Sequence, residues 1–179
     1  MSFFLRLAVL ALLPVLAACG RDRVVADEIS PAYTPAEVAY AASDRDLRVV
    51  IHGNPVGGSP DRFARTVTDA MQNKIMGVRT NFTTTPNETA RRDYAVVLAF
   101  NPAENMLNSA LCRGGPIPTK PPGGSLVVQS AFCRAGGALT SATGWLDEPR
   151  GLDDPGLRDL ISGLTFSLFP SRRVECLGC

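Results

Sequence analysis

Residues Tyr94 to Phe100 read Tyr-Ala-Val-Val-Leu-Ala-Phe, an uninterrupted apolar run without a charge or a break. An extended segment of that kind is apolar on both faces, so it has to be a central strand with cover above and below. The rest of the chain must therefore supply neighbouring strands and packing layers.

It does so in a definite order. Leu47 to His52 alternates and is rich in β-branched residues, which predicts a strand. A turn-rich stretch, His52-Gly53-Asn54-Pro55-Val56-Gly57-Gly58, leads to Ser59-Pro60, an N-cap and an N1 proline. Phe63, Val67, Ala70, Met71 and Ile75 then follow at helical spacing, and Gly77 supplies the stop. Val78 to Thr85 alternates as a half-exposed strand. Ser125–Cys133 and Ala138–Leu146 predict two more strands, with Arg134-Ala135-Gly136-Gly137 as a hairpin whose Gly-Gly pair provides positive φ. Asp154-Pro155 caps a last helix carrying Leu157, Leu160, Ile161, Leu164 and Leu168 on one stripe, closed by Phe169-Pro170. The expected architecture is α+β: a largely antiparallel sheet of about five strands with two helices packed on one face.

The amino terminus does not belong to this pattern. Met1–Arg6 is a short basic segment, Leu7–Leu16 is apolar apart from Pro14, and two small residues precede Cys19. The apolar stretch is too short to cross a bilayer, which takes roughly twenty helical residues. It reads as a targeting segment. Leu16-Ala17-Ala18-Cys19 resembles the lipobox of bacterial lipoproteins. The resemblance implies cleavage of residues 1–18 and a diacylglyceryl group on Cys19, which would attach the chain to a membrane. Gly20, in place of the aspartate that favours inner-membrane retention, points to the periplasmic side of the outer membrane of a Gram-negative cell. Residues 19–46 then form the lipidated N-terminus and a tether, in which Thr34-Pro35-Ala36-Glu37 matches a capping box and starts a short helix to about Ser43. Residues 47–179 form a single α+β periplasmic domain.

Export bears on the remaining cysteines. Cys112, Cys133, Cys176 and Cys179 would sit where disulfides persist. Of the three possible pairings, Cys112–Cys133 with Cys176–Cys179 is favoured, because the first closes a Gly/Pro-rich excursion; a tail bridged to the 112–133 region is the competing arrangement. Zinc binding is disfavoured by the wide spacing of Cys112 and Cys133. A redox role for Cys176-Leu-Gly-Cys179 lacks the following helix that would lower a thiol pKa.

Catalytic patterns are weak. His52 is the only histidine. His52-Gly53 with Gly57-Gly58-Ser59 faintly matches an oxyanion loop, but the Gly-x-Ser-x-Gly elbow is missing. His52 is expected to end a strand with its ring bonded to nearby backbone. Gly57-Gly58-Ser59-Pro60 lacks the lysine of a phosphate loop and reads as a helix cap. Asp44-Arg45-Asp46 and Asp153-Asp154 lack the alternating ligands of a calcium loop. Asn81-Phe82-Thr83 and Asn87-Glu88-Thr89 match the glycosylation pattern without implying it here, and Trp145 is expected in the core.

Residues 113–124 stand out instead. Pro116, Pro118, Pro121 and Pro122, with Lys120 and flanking glycines, form a stiff, solvated loop suited to partner contact. The chain carries 18 basic and 17 acidic side chains, and cleavage would remove Arg6 and leave them balanced, which argues against nucleic acid as a partner. The expectation is a non-enzymatic, lipid-anchored envelope module with no cofactor, working through an envelope protein partner. A thiol-disulfide protein and a small-ligand or lipid carrier are the alternatives.

Overall fold

The computed structural model describes residues 22–27, 29–103 and 106–171. The signal segment, Cys19, Cys176 and Cys179 lie outside them. The described chain runs β1 (Asp22–Ala26), α1 (Pro35–Ala42), β2 (Arg45–His52), α2 (Pro60–Met71), β3 (Thr80–Thr83) and β4 (Tyr94–Phe100). A 3-10 helix (Asn108–Arg113), β5 (Leu126–Arg134), β6 (Gly137–Leu146) and α3 (Pro155–Leu168) complete it.

The strands form one six-stranded sheet in the order β1-β6-β5-β4-β2-β3. β1/β6, β6/β5 and β5/β4 pair antiparallel, whereas β4/β2 and β2/β3 pair parallel. The α+β class and the mostly antiparallel sheet agree with the sequence. The counts do not: the described residues hold six strands rather than five, and three α-helices rather than two. β2 and β3 pair parallel because α2 carries the chain back along the sheet between them, and β4 pairs parallel with β2 because residues 84–93 return the chain from the end of β3.

β4 has the cover its composition demands. Val96, Leu98 and Phe100 face one layer with α2 and α3, while Val97 and Ala99 face a second, smaller cluster with Leu111, Cys112, Ala131 and Cys133. On the first face, Phe63, Phe82, Phe100, Phe132, Leu157, Leu160 and Leu164 fill the space between sheet and helices. Burying each such side chain contributes about 1.5–3 kcal/mol.

The stretch 19–46, expected as a tether, is folded throughout its described part. β1 pairs with β6 from Asp22↔Leu146 to Ala26↔Ala142. Val24 packs inward close to Gly163 of α3, where an added Cβ would come within 3.3 Å of it. α1 buries Val38, Ala41 and Ala42. Two short elements with one inward residue in β1 and three in α1 show little periodicity, yet each completes a layer already present.

Local differences have local causes. α2 stops at Met71 because Gln72 leaves the helix and bonds both backbone groups of Phe82: Nε2 donates to the carbonyl (2.9 Å) and Oε1 accepts from the amide (3.2 Å). Edge strand β3 is thereby covered where it would otherwise be open to pairing. Ser59 is the N-cap of α2 but makes no side-chain cap bond. Trp145 is half-buried on the face away from the helices, not in the core, with the Arg23 guanidinium 4.3 Å from its ring centroid.

Candidate functional site

The register places the loops in two groups. β1, β5 and β6 have Asp22, Leu126 and Leu146 at one end, and β2 and β4 finish there at His52 and Phe100. The 53–58 loop, the 114–125 loop and the 147–154 segment therefore lie at that end. The β5–β6 hairpin, the start of β4 and the end of α3 lie at the other.

Pro116, Pro118, Lys120, Pro121 and Pro122 are exposed, but their backbone is tied down. The Cys112–Cys133 disulfide forms, as the favoured pairing had it. Further along, the Ala103 amide donates to the Pro118 carbonyl and the Lys120 amide to the Asn101 carbonyl, both at 2.8 Å. Gly53, at φ +82°, lets Thr119 and the Phe100 carbonyl approach so closely that an added Cβ would stand 2.6 Å from that oxygen. The loop is a fixed rim.

The other candidates resolve into structural roles. His52 is half-buried on the outer face of the sheet, and burial lowers its pKa below the ordinary value. The expected ring-to-backbone bond is not made among the described residues. Asp154 caps α3, its Oδ1 accepting from the Gly156 amide (2.9 Å) and its Oδ2 from the Arg150 amide (2.8 Å). Asp153 and Asp44 form exposed pairs with Arg62 and Arg79. Asp46 is buried and accepts from Asn81 Nδ2 (2.8 Å) and the Asn87 amide (2.9 Å). The Asn87 side-chain oxygen accepts in turn from the amide and hydroxyl of Thr89. Both asparagines of the glycosylation-like triplets thus hold the segment that precedes β4.

That segment builds a feature which the sequence did not single out. A groove of about 530 Å³ opens at the hairpin end, lined by Tyr40, Arg45, Arg91, Arg92, Tyr94 and Arg134, with Glu88 and Asp93 also in its wall. The Arg91 guanidinium lies 3.6 Å from the centroid of the Tyr40 ring, and its Nε donates to the Tyr40 carbonyl at 2.8 Å. Tyr40 is 53% exposed and meets Tyr94 edge-on, with centroids 6.0 Å apart.

Beneath the groove, Glu37 Oε1 accepts from both the Tyr94 hydroxyl and Arg134 Nη1, the latter at 2.6 Å. The capping box is therefore only half made. The Glu37 amide donates to Thr34 Oγ1 (3.0 Å), while the carboxylate turns to the sheet. The Tyr94 hydroxyl, followed by Arg134, holds the Glu37 carboxyl below its ordinary pKa. Burial, with the adjacent carboxylate, raises that of Tyr94. Tyr40, Arg91 and Arg134 come from a helix, a loop and a strand end, so no spacing rule links them. The only signal was Glu37, and it had a sufficient local explanation.

No protein-family model matches the chain, and no curated protein matches it. Among solved structures it is similar to the PelC dodecamer of Paraburkholderia phytofirmans, at 14% identity and a TM-score of 0.45, covering 83% of this chain and 97% of that one. A variant of that dodecamer in another crystal form gives 14% identity, a TM-score of 0.44 and coverage of 84% and 99%.

Proposed function

We propose that the chain is a lipid-anchored envelope module, held through Cys19 at the periplasmic face of an outer membrane and acting by protein contact rather than by catalysis. The run Leu16-Ala17-Ala18-Cys19 carries this reading, and the position of β1 supports it. Asp22 follows Cys19 by three residues, a span of at most about 11 Å at 3.8 Å per Cα step. A lipid on Cys19 would hold the β1 end of the sheet at the membrane surface with almost no slack. The proline-bearing rim would then face the bilayer side. The arginine–tyrosine groove would stand a strand length away, about 30 Å for the longest strand.

Metabolic labelling with an alkyne fatty acid tests the anchor. Wild-type chain should take up label and sediment with membranes. Cys19→Ser should lose the label and the lipid-dependent attachment while keeping the wild-type urea midpoint. An unlabelled wild type, or a variant that stays membrane-bound through residues 1–18, overturns the proposal.

A further inference from the structure

We infer that the groove between α1 and the β5–β6 hairpin is the partner-binding site of this module, and that it takes a carboxylate-rich segment of another protein. The inference rests on the reading above for its setting, but its chemistry stands on the groove alone. Four guanidiniums line the groove against the carboxylates of Glu88 and Asp93, and Glu37 beneath neutralises Arg134, which leaves an excess of one positive charge on an otherwise balanced chain.

The guanidiniums are not equivalent. Arg134 is committed to Glu37, and Arg45 donates to the Ser43 and Thr89 carbonyls. Arg91 is held by the Tyr40 ring and, through its Nε, by the Tyr40 carbonyl, and its guanidinium forms no ion pair among the described residues. Arg92 is exposed and makes no side-chain bond among them. A guanidinium already stacked loses less freedom on pairing with a carboxylate, and its planar fork matches that ligand. Tyrosine and arginine are also the residues that dominate protein-binding hot spots. A long polyanion such as nucleic acid needs a broad positive field, which a groove carrying two acids and a near-neutral chain do not provide. A short acidic segment needs only local pairing.

The test uses the full chain in detergent micelles with 3-fluorotyrosine in place of its three tyrosines. Tyr33 is the internal reference, being buried with its hydroxyl donating to the Pro170 carbonyl. Hexaglutamate should shift the Tyr40 and Tyr94 resonances saturably and leave Tyr33 unmoved. Arg91→Ala should weaken that binding at least about tenfold, the loss of one charge-assisted pair. Arg92→Ala, whose side chain supports nothing else, should weaken it too in a protein of unchanged stability. Arg62→Ala, at the opposite end, should not.

An equal response to hexaglutamine, saturation by inorganic phosphate alone, or equal weakening by Arg62→Ala overturns the inference. The two readings fail separately. A chain that takes no lipid but binds hexaglutamate keeps the groove and loses the anchor; a labelled chain that does not bind keeps the anchor and loses the groove.

Discussion

Gly144 of β6 lies so close to Leu160 of α3 that an added Cβ would stand 2.6 Å from the Leu160 Cδ1, with both Leu164 methyls at 3.2 Å. The backbone of Gly144 is unstrained, so what this position requires is space alone. Leu160 and Leu164 are fully buried and have no free side to swing into. Gly144→Ala should therefore cost about 1–3 kcal/mol through overpacking. Pairing it with Leu160→Ala should cost less than the two changes summed, because the smaller side chain vacates the contested volume. Urea unfolding of the four proteins checks this, and strictly additive losses would count against direct contact.

The β5–β6 hairpin yields a second prediction. Its turn was legible from Arg134-Ala135-Gly136-Gly137, with the Gly-Gly pair expected to provide positive φ. In the structure Arg134 pairs with Gly137, and the two turn residues are Ala135 (φ +47°) and Gly136 (φ +83°). The turn is shifted one residue back, because the Ala135 amide donates to the Asp93 carbonyl at 2.8 Å and ties the hairpin to the start of β4. An alanine with a left-handed backbone costs roughly 1–2 kcal/mol. Ala135→Gly or Ala135→Asn should recover about 1 kcal/mol, seen as a higher thermal midpoint with no change in spectrum.

The same contrast runs through the whole molecule. β4 and α3 were legible because one composition or one spacing decides each of them: an apolar run, and a stripe from Leu157 to Leu168. β1 and the groove were not. Asp22-Arg23-Val24-Val25-Ala26 has one inward residue whose partner, Gly163, lies far along the chain. The groove joins Tyr40, Arg91 and Arg134 through contacts that only the folded sheet brings together. Local periodicity reports what a segment does alone, and these segments do nothing alone.

Glu37 links α1 to the sheet and should make stability depend on pH in the acid range. Its folded pKa lies below the ordinary 4.5, chiefly through the Tyr94 hydroxyl and then Arg134. A depressed carboxylate pKa adds stability that is fully present above the unfolded value and is lost as pH falls through the folded one. The wild type should thus exceed Glu37→Gln in urea midpoint at pH 7, and the gap should close below pH 4.5. A gap that stays constant from pH 7 to pH 3 would show that the charge on Glu37 does not contribute.

The Cys112–Cys133 bridge spans 21 residues of sequence and joins the 3-10 helix to β5 on the outer face of the sheet. Closing a loop of that size stabilises by about 3 kcal/mol in the chain-entropy model. Replacing both cysteines with alanine should cost a comparable amount, since both sulfurs are buried in the small cluster with Leu111 and Ala131. The rim residues at 116–122 should respond differently from the core. Their hydrogen bonds to Asn101 and Ala103 survive the change, whereas the turn around Gly114 loses its anchor. Limited digestion separates the two, with trypsin cutting after Arg113 and a Lys-N protease cutting before Lys120, because the Lys120–Pro121 bond resists trypsin: cleavage at Arg113 should accelerate well before cleavage at Lys120. Equal acceleration at both sites would mean that the bridge, rather than the backbone bonds, holds the whole rim in place.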